Sequence, residues 1–303
     1  MIEGMKKQKI IIMSNQGPAL TRLFSATVIK ELASSGWSGL GVKILKDAGL
    51  SGVFDPSTTL RSFFDTIYDA LFHSYRSEYI YKNVIAQKIL LGIHSLNTSF
   101  MLTEFRSALC RADVVLLNGT STVYEIKSAY DSMGRLSRQL QAYRQLFDKV
   151  CVITAPSQVE NVKQHIADDV GLLVLSDRNT LTTIQEPSSM KNSVVPSAIF
   201  DSLRRKEYEE IVRMRFGAVP DVPNTRIYQA CHDLFCTLDP VDAHDSMVLV
   251  LKKRGGSKRL NEFIESVPSS LKAASLSCKL SAKEQSRFSL LLNSVIGDCL
   301  SIC

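Results

Sequence analysis

The dipeptide Asn118-Gly119, which lies between two runs of strand-forming residues, constrains the fold of this chain more than any other feature. Such a dipeptide is typical of the turn of a β-hairpin. A hairpin centred on Gly119 would place Asp113 and Glu125 directly opposite each other, and cross-strand partners lie roughly 4.5–5.5 Å apart. Lys127 follows Glu125 by two residues, so the alternation of a strand places it on the same face. The opposite face is apolar and carries Val114, Leu116, Tyr124 and Ile126.

Two carboxylates and an ammonium group on one face of a ribbon are the components of a metal site. Carboxylates that lie close together repel each other unless a cation or a proton lies between them. Mg²⁺ and Mn²⁺ prefer hard oxygen ligands, which Asp113, Glu125 and the carbonyl of Ile126 would supply. Lys127 would orient an attacking water or stabilise developing negative charge. An exposed hairpin with ordinary surface salt bridges is the alternative interpretation of the same residues.

A helix is predicted directly after this ribbon. Residues from Asp131 to Phe147 carry apolar side chains near helical spacing. Asp131 is a suitable N-cap for this helix. Gln139 and Tyr143 are four residues apart and therefore share one face of it.

The neighbouring segments extend the pattern to helix, strand, strand, helix, strand, helix, strand. A helix over Ser99–Arg106 is expected to carry a third carboxylate, that of Glu104. Downstream, the sequence predicts a strand over Lys149–Thr154, a helix over Val159–Ile166 and a strand over Val170–Leu175. The order is that of an α/β core.

This order and these residues together resemble the PD-(D/E)XK superfamily, the restriction-endonuclease-like nucleases, over residues 98 to about 176. Asp113 matches the motif aspartate of that family, and Glu125-Ile126-Lys127 matches its (D/E)XK triplet. Ala112 precedes the aspartate where the family pattern has a proline, which many members lack.

Two further positions carry the resemblance. Glu104 falls where many members have a helical acidic residue, and Gln139-x-x-x-Tyr143 matches the QxxxY motif of the RecB-like and exonuclease branch. The pattern that includes Arg135 is similar to an uncharacterised bacterial subfamily of such nucleases.

The resemblance implies a fold and an activity. The fold would be a restriction-endonuclease-like α/β core, a mixed central sheet flanked by helices, with helical additions at both ends. The activity would be metal-dependent hydrolysis of nucleic-acid phosphodiesters, of DNA rather than RNA, in defence against foreign DNA, mobile-element biology or repair. The implied roles are metal binding by Asp113, Glu125, Ile126 and Glu104, positioning of the nucleophile by Lys127, and support of the site and the strand by Gln139 and Tyr143.

Three regions are expected along the chain. Residues 1–97 are mainly helical, 98–182 form the core, and 183–303 are mainly helical and basic. The polar segment 182–197, which contains two prolines, is the predicted boundary after the core. In the first region a helix is predicted from Pro18 to the residue before Gly36, with proline in its first turn and glycine after its end.

The charge of the chain favours a polyanionic partner. The formal net charge is +6 and the isoelectric point is about 8.9. A basic stretch around Gly255-Gly256 would attract phosphates irrespective of sequence, although an exposed basic turn between helices explains it equally well. The predicted nucleic-acid-binding residues are Lys252, Lys253, Arg254, Lys258 and Arg259, together with Arg135.

Cysteine usage and hydropathy bear on the compartment. The seven cysteines form no CxxC pair, which favours reduced thiols in the cytoplasm. No signal peptide is predicted, and no apolar run approaches the roughly 20 residues that cross a bilayer.

Other functions remain open on this sequence. A nucleic-acid-binding or assembly protein on the same fold would bind without cleaving, and a protein-interaction module would use the acids only as a solvated face. Cleavage of both strands of a duplex would need two active sites, so a homodimer or a partner protein also remains open.

Overall fold

The computed structural model describes residues 10–94, 96, 98–106, 110–255 and 258–300, with Lys258 described in its backbone only. The chain forms two compact units. One is continuous, Ile93–Gly256, and the other combines Met1–Gly92 with Ser257–Cys303. These units differ from the three regions expected from the sequence, because residues 183–256 fold with the sheet and not with the last helices.

Helices dominate the discontinuous unit and flank the sheet of the continuous one. In chain order the α-helices are α1 Gly17–Thr21, α2 Ala26–Ser35, α3 Gly39–Asp47, α4 Leu60–Ser74, α5 Glu78–Val84, α6 Leu136–Arg144, α7 Val159–Lys163, α8 Pro196–Ser202, α9 Arg205–Phe216, α10 Ile227–Phe235, α11 Pro240–Lys252, α12 Lys258–Ser266, α13 Lys272–Ser277, α14 Ala282–Leu291 and α15 Ile296–Cys299. Helices α1–α5 and α12–α15 belong to the discontinuous unit, and α6–α11 belong to the continuous one.

The helix predicted after Pro18 is divided in two. The hydroxyl of Ser25 accepts a hydrogen bond from the backbone N–H of Val28, so Ser25 acts as the N-cap of α2. A short 3₁₀ turn separates α1 from α2. The predicted end is confirmed: Gly36 has a φ of +83°, in the left-handed region that favours glycine.

A six-stranded mixed sheet forms the centre of the continuous unit, and its strands lie side by side in chain order. They are β1 Phe100–Arg106, β2 Arg111–Leu117, β3 Ser121–Lys127, β4 Lys149–Thr154, β5 Gly171–Leu175 and β6 Leu181–Gln185. Strands β1, β2 and β3 pair antiparallel, β3, β4 and β5 pair parallel, and β6 returns antiparallel to β5. Because parallel neighbours need a crossover, α6 connects β3 to β4 and α7 connects β4 to β5.

The predicted hairpin is confirmed in position and register. Leu117 pairs with Ser121 and Val115 with Val123, so the hairpin is centred on Gly119. Gly119 has a φ of +94°, which a residue with a Cβ adopts only at a cost. The last pair of this ladder joins Val114 to Tyr124, and the two predicted metal carboxylates follow directly after it.

The segment Ser99–Arg106 forms strand β1 from Phe100 onward, and its prediction as a helix was wrong. Eight residues are too few for periodicity to separate a helix from a strand, and β2 supplies a long-range partner that decides the outcome. Glu104 therefore lies on β1, where it has the unusual φ of +55° for a residue other than glycine.

The helix after the hairpin is shorter than predicted. It begins at Leu136, and Asp131 is not its N-cap. The carboxylate of Asp131 accepts hydrogen bonds from the backbone N–H and the hydroxyl of Ser128, at 2.8 and 2.6 Å. This local turn removes Asp131 from the helix.

The element order after this helix also differs in part. The strand predicted over Lys149–Thr154 is confirmed, and the helix and strand expected after it are found with shorter bounds, as α7 and β5. Strand β6 overlaps the start of the polar segment predicted as a boundary. It lies at the edge of the sheet, where a strand can be polar.

One hydrophobic core joins the sheet to α6 and to α8–α11. On the sheet its buried residues include Val115, Leu117, Val123, Val150 and Val152. The helices add Leu140, Tyr143, Ile199, Ile211, Phe235 and Met247.

No helix within the described ranges has both the length and the apolar character required to cross a membrane.

Candidate active site

Four of the predicted site residues form one hydrogen-bonded group at the end of β3. The ammonium of Lys127 lies 2.9 Å from Oε1 of Glu125 and donates to Oε1 of Gln139 at 3.1 Å. The hydroxyl of Tyr143 donates to the other oxygen of Glu125 at 2.7 Å. The side chains of Glu125 and Lys127 are only 2% and 9% exposed. We call these four residues the Glu125–Lys127 cluster.

Local structure explains why these side chains meet. Glu125 and Lys127 alternate along β3 and share a face with Val123. Gln139 and Tyr143 lie one turn apart on α6, so both face the same region of the sheet. The hydroxyl of Thr154, the β4 partner of Lys127 in the parallel register, donates to the Lys127 carbonyl at 2.7 Å.

The charged face of the ribbon is not a solvated face. Every residue of β3 is buried, and Val115 and Val123 on the same side belong to the core under α6. The predicted apolar side, with Val114, Leu116, Tyr124 and Ile126, is buried as expected, but the side that carries the charges is buried and partly apolar as well. The interpretation as an exposed salt-bridged hairpin does not fit this burial.

A buried ion pair is costly unless hydrogen bonds satisfy its polar atoms. Here both oxygens of Glu125 accept a hydrogen bond, and Lys127 has two acceptors. Burial, and secondly the neighbouring Glu125 carboxylate, raise the pKa of Tyr143 far above its usual range. Tyr143 therefore keeps its proton and remains a donor, with the Arg111 carbonyl as a further acceptor at 3.0 Å.

Asp113 lies beside this cluster. One of its carboxylate oxygens accepts a hydrogen bond from the backbone N–H of Ile126 at 2.8 Å. A carboxylate oxygen of Glu104 lies within 4.8 Å of one of Asp113, and Glu104 also pairs with Nε of Arg111 at 2.6 Å. The three carboxylates of Glu104, Asp113 and Glu125 are not all within 4.8 Å of one another.

The donor set nevertheless suits Mg²⁺ or Mn²⁺ in its chemistry. All the candidate ligands are hard oxygens, from the carboxylates of Glu104, Asp113 and Glu125 and the carbonyl of Ile126. An ionised carboxylate offers about four lone-pair positions. The two hydrogen bonds to Glu125 therefore leave acceptor capacity on that group.

The predicted basic stretch has a different environment. Lys253 pairs with Glu210, and Arg254 donates to both oxygens of Glu207 at 2.6 and 2.7 Å. Lys252 donates to the Thr98 carbonyl at 2.5 Å. Arg259 donates to the Ala282 carbonyl at 2.7 Å, and the side chain of Lys258 lies outside the described residues.

These contacts neutralise two charges of the stretch, so its role in binding nucleic acid stays a prediction. Arg135 differs from it: the residue is exposed, and it lies one helical turn before Gln139.

A second polar network joins α11 to the opposite end of β3. Ser121 Oγ lies 2.7 Å from Nε2 of His244, and Nδ1 of the same ring lies 3.0 Å from Asp245 Oδ1. The backbone N–H of Asp148 donates to Ser121 Oγ at 3.1 Å, and Lys191 pairs with Asp245 at 2.6 Å.

The hydrogen-bonded series of serine, histidine and aspartate side chains in this network resembles a hydrolytic triad. Ser121 and His244 are both fully buried, so a substrate has no access to them. The network is therefore a structural connection between a helix and the sheet. Burial lowers the pKa of His244 below its usual value, although Asp245 opposes the shift.

Sequence reasoning missed two residues that support the site from neighbouring strands. Thr154 donates to the Lys127 carbonyl, and Arg111 accepts a hydrogen bond from Tyr143 and pairs with Glu104. Both contacts depend on the strand register. The only available signal was a threonine at the end of a predicted strand. His244 is 123 positions from Ser121 and had no local signal.

Comparison with known proteins gave one family and one relative. A family model described as bacteriophage P4 protein cII matches residues 72–276. Protein cII of Enterobacteria phage P4 is 36% identical over 70 residues, which are 23% of this chain and 26% of the relative. The match thus spans about a quarter of that curated relative. No solved structure matches the chain.

Proposed function

The chain belongs to the bacteriophage P4 protein cII family, and we propose that it is a metal-dependent nuclease with a restriction-endonuclease-like core. The observation that carries this proposal is the meeting of Glu125, Lys127, Gln139 and Tyr143 in one buried cluster. A solvated charged hairpin has no need for such an arrangement. Asp113 beside the cluster completes the acid, acid and lysine set.

The residues of the site would have separate roles in the reaction. Asp113 and Glu125, assisted by Glu104 and the Ile126 carbonyl, would hold Mg²⁺ or Mn²⁺. When bound, the ion would neutralise phosphate charge and lower the pKa of a bound water. Lys127 would place positive charge beside the scissile phosphate.

The two α6 side chains would act as positioning residues. Tyr143 and Gln139 fix the orientation of Glu125 and Lys127 through their hydrogen bonds. We propose DNA as the substrate in preference to RNA.

A second candidate is a nucleic-acid-binding or assembly protein on the same fold that does not cleave. A specific observation favours it: both oxygens of Glu125 already accept hydrogen bonds from Lys127 and Tyr143 in a site that is almost fully buried. An ion pair of this kind also occurs as a purely structural element.

Cleavage assays separate the two candidates. Purified protein is incubated with single-stranded and duplex DNA and RNA in the presence of Mg²⁺, Mn²⁺ or EDTA. We expect cleavage with the metals, none with EDTA, and at least a hundredfold loss in Asp113→Asn.

Glu160→Gln is the matched control, because Glu160 is an 82% exposed acid that pairs only with Lys163 among the described residues. Circular dichroism of each variant verifies its fold. Cleavage that persists in folded Asp113→Asn contradicts the nuclease assignment, and binding without cleavage under every condition supports the second candidate.

A further inference from the structure

An exposed loop, residues 129–132, follows Lys127 and Ser128 along the chain and leads to α6. Ser128 directly follows Lys127 and is held by Asp131, and Tyr130 donates its backbone N–H to the Ser128 hydroxyl at 3.3 Å. Tyr130 is nevertheless 59% exposed. An exposed aromatic side chain three residues after Lys127 can contact a ligand.

Two arginines follow this loop at the start of α6. Arg135 and Arg138 are exposed, and within the described ranges neither guanidinium has an ion-pair or hydrogen-bond partner. Arg135 accepts the backbone hydrogen bond of Gln139 at 3.0 Å, and Gln139 in turn contacts Lys127. Both arginines therefore lie within one helical turn before Gln139, the half-buried residue that contacts Lys127 of the buried ion pair.

These arginines do not serve the stability of α6. Positive charge in the first turn of a helix opposes its dipole, and the first turn of α6 contains no acidic residue that would offset it. An arrangement that costs stability, beside a proposed phosphodiester site, points to an anionic ligand.

The exposure of Tyr130 and the burial of Glu125 and Lys127 together favour a single-stranded over a double-stranded substrate. An aromatic side chain stacks on an unpaired base, and cationic groups beside it follow the backbone. Glu125 and Lys127 are 2% and 9% exposed, so a scissile phosphate must enter deeply. A flexible single strand can insert a phosphate in this way, whereas stacked base pairs hold the phosphates of a duplex on a rigid rod.

We propose that Tyr130, Arg135 and Arg138 form a binding surface for single-stranded nucleic acid that leads one strand to the Glu125–Lys127 cluster. This inference rests on the proposed nuclease function and adds the substrate form. Tyr130 stacks on a base, and the two guanidinium groups bind flanking phosphates.

Binding is tested without cleavage, by fluorescence anisotropy in EDTA. The probes are a labelled single-stranded DNA of about 20 nucleotides, the RNA of the same sequence and the matching duplex. We expect the full-length protein to bind the single strands at least tenfold more tightly than the duplex.

Substitution of Tyr130 tests the stacking contact. Tyr130→Ala and Tyr130→Leu are expected to weaken single-strand binding about tenfold, whereas Tyr130→Phe retains it, because only a ring stacks on a base. Tyr228→Ala is the control, since Tyr228 is 48% exposed on α10.

Substitution of the arginines tests the phosphate contacts. The double variant Arg135→Gln/Arg138→Gln should reduce the slope of log K against log salt by about 1.4, because each phosphate contact on a single strand contributes about 0.7. Lys206→Gln/Arg213→Gln removes two other exposed cations, on α9, and should leave the slope unchanged.

The outcomes separate this inference from the proposed function. Duplex binding as tight as single-strand binding, or an unchanged affinity in folded Tyr130→Ala, overturns the single-strand surface even if metal-dependent cleavage is found. Single-strand binding that depends on Tyr130 and both arginines, without cleavage in any metal, supports the surface and overturns the nuclease.

Discussion

The most consequential contact at the residue scale is the ion pair of Glu125 and Lys127. It is buried, and both oxygens of Glu125 and the ammonium of Lys127 take part in hydrogen bonds, so its loss has a structural cost as well as any chemical one. A buried charge whose partner is removed is strongly unfavourable, whereas removal of both charges together costs much less.

We therefore expect Lys127→Met to lower the free energy of unfolding by about 3–5 kcal/mol, because it leaves the Glu125 carboxylate buried without a counter-charge. The double variant Glu125→Gln/Lys127→Met should be more stable than this single variant. Urea denaturation followed by circular dichroism measures both. If the double variant is the less stable of the two, the pair does not behave as a buried ion pair.

A backbone requirement defines the turn of the hairpin that presents these residues. Gly119→Ala should lower the free energy of unfolding by about 1 kcal/mol, because alanine is disfavoured at a φ of +94°. Gly134→Ala is the control: a Cβ at that glycine meets nothing within 4 Å, and its φ is not in the left-handed region. Thermal unfolding of both variants compares them, and equal melting temperatures would contradict the strain at Gly119.

At the scale of elements, α11 is attached to the sheet by a polar network with a pH-sensitive member. His244 is neutral in the fold, its pKa lies below 6.5, and Ser121, Asp148, Lys191 and Asp245 surround it. The unfolded chain therefore binds more protons than the folded one when the pH falls below about 6.5. The stability contributed by neutral His244 is present above this pH and is lost as the pH falls.

We expect the free energy of unfolding to decrease between pH 7 and pH 5, and His244→Gln to flatten this decrease. Burial raises the pKa of Asp148, but hydrogen bonds from Ser189, Thr120 and the backbone N–H of Lys191 help to leave it below its ordinary value. That carboxylate therefore loses its contribution only in more acidic solution. Urea titrations across this pH range provide the measurement. An unchanged slope in folded His244→Gln would show that other groups cause the dependence.

The elements that could be predicted from the sequence are those with local causes. The hairpin followed from one turn dipeptide and alternation, and the shared face of Gln139 and Tyr143 followed from helical spacing. That these two side chains meet Glu125 and Lys127 was implied only by the family resemblance. Strand β1 was missed because its conformation depends on pairing with β2, and the start of α6 was missed because Asp131 bonds to Ser128 instead. The burial of the ion pair depends on tertiary packing between the sheet and α6, which no local pattern records.

For the whole molecule, the two units differ in how the chain builds them. The sheet unit is one continuous stretch, and the helical unit needs both Met1–Gly92 and Ser257–Cys303. Helix α14 packs against α2, and Phe288 on α14 is fully buried. The N-terminal segment alone therefore has an incomplete core.

A chain that stops after Gly256 should retain slow amide hydrogen exchange in β3 and lose it in α2. The reason is that β3 keeps its neighbours β2 and β4, whereas α2 loses α13 and α14. Hydrogen-exchange mass spectrometry compares the two segments in the truncated and full-length chains. Protection of α2 in the truncated chain would mean that the first segment folds by itself.

The split construction of the helical unit also matters on the ribosome. Synthesis proceeds at about 5–20 residues per second, so the roughly 170 residues between Gly92 and the start of α12 take on the order of ten to thirty seconds to emerge. During that interval the sheet can fold, whereas the apolar faces of α2 and α4 stay exposed. These faces can then bind chaperones or neighbouring nascent chains.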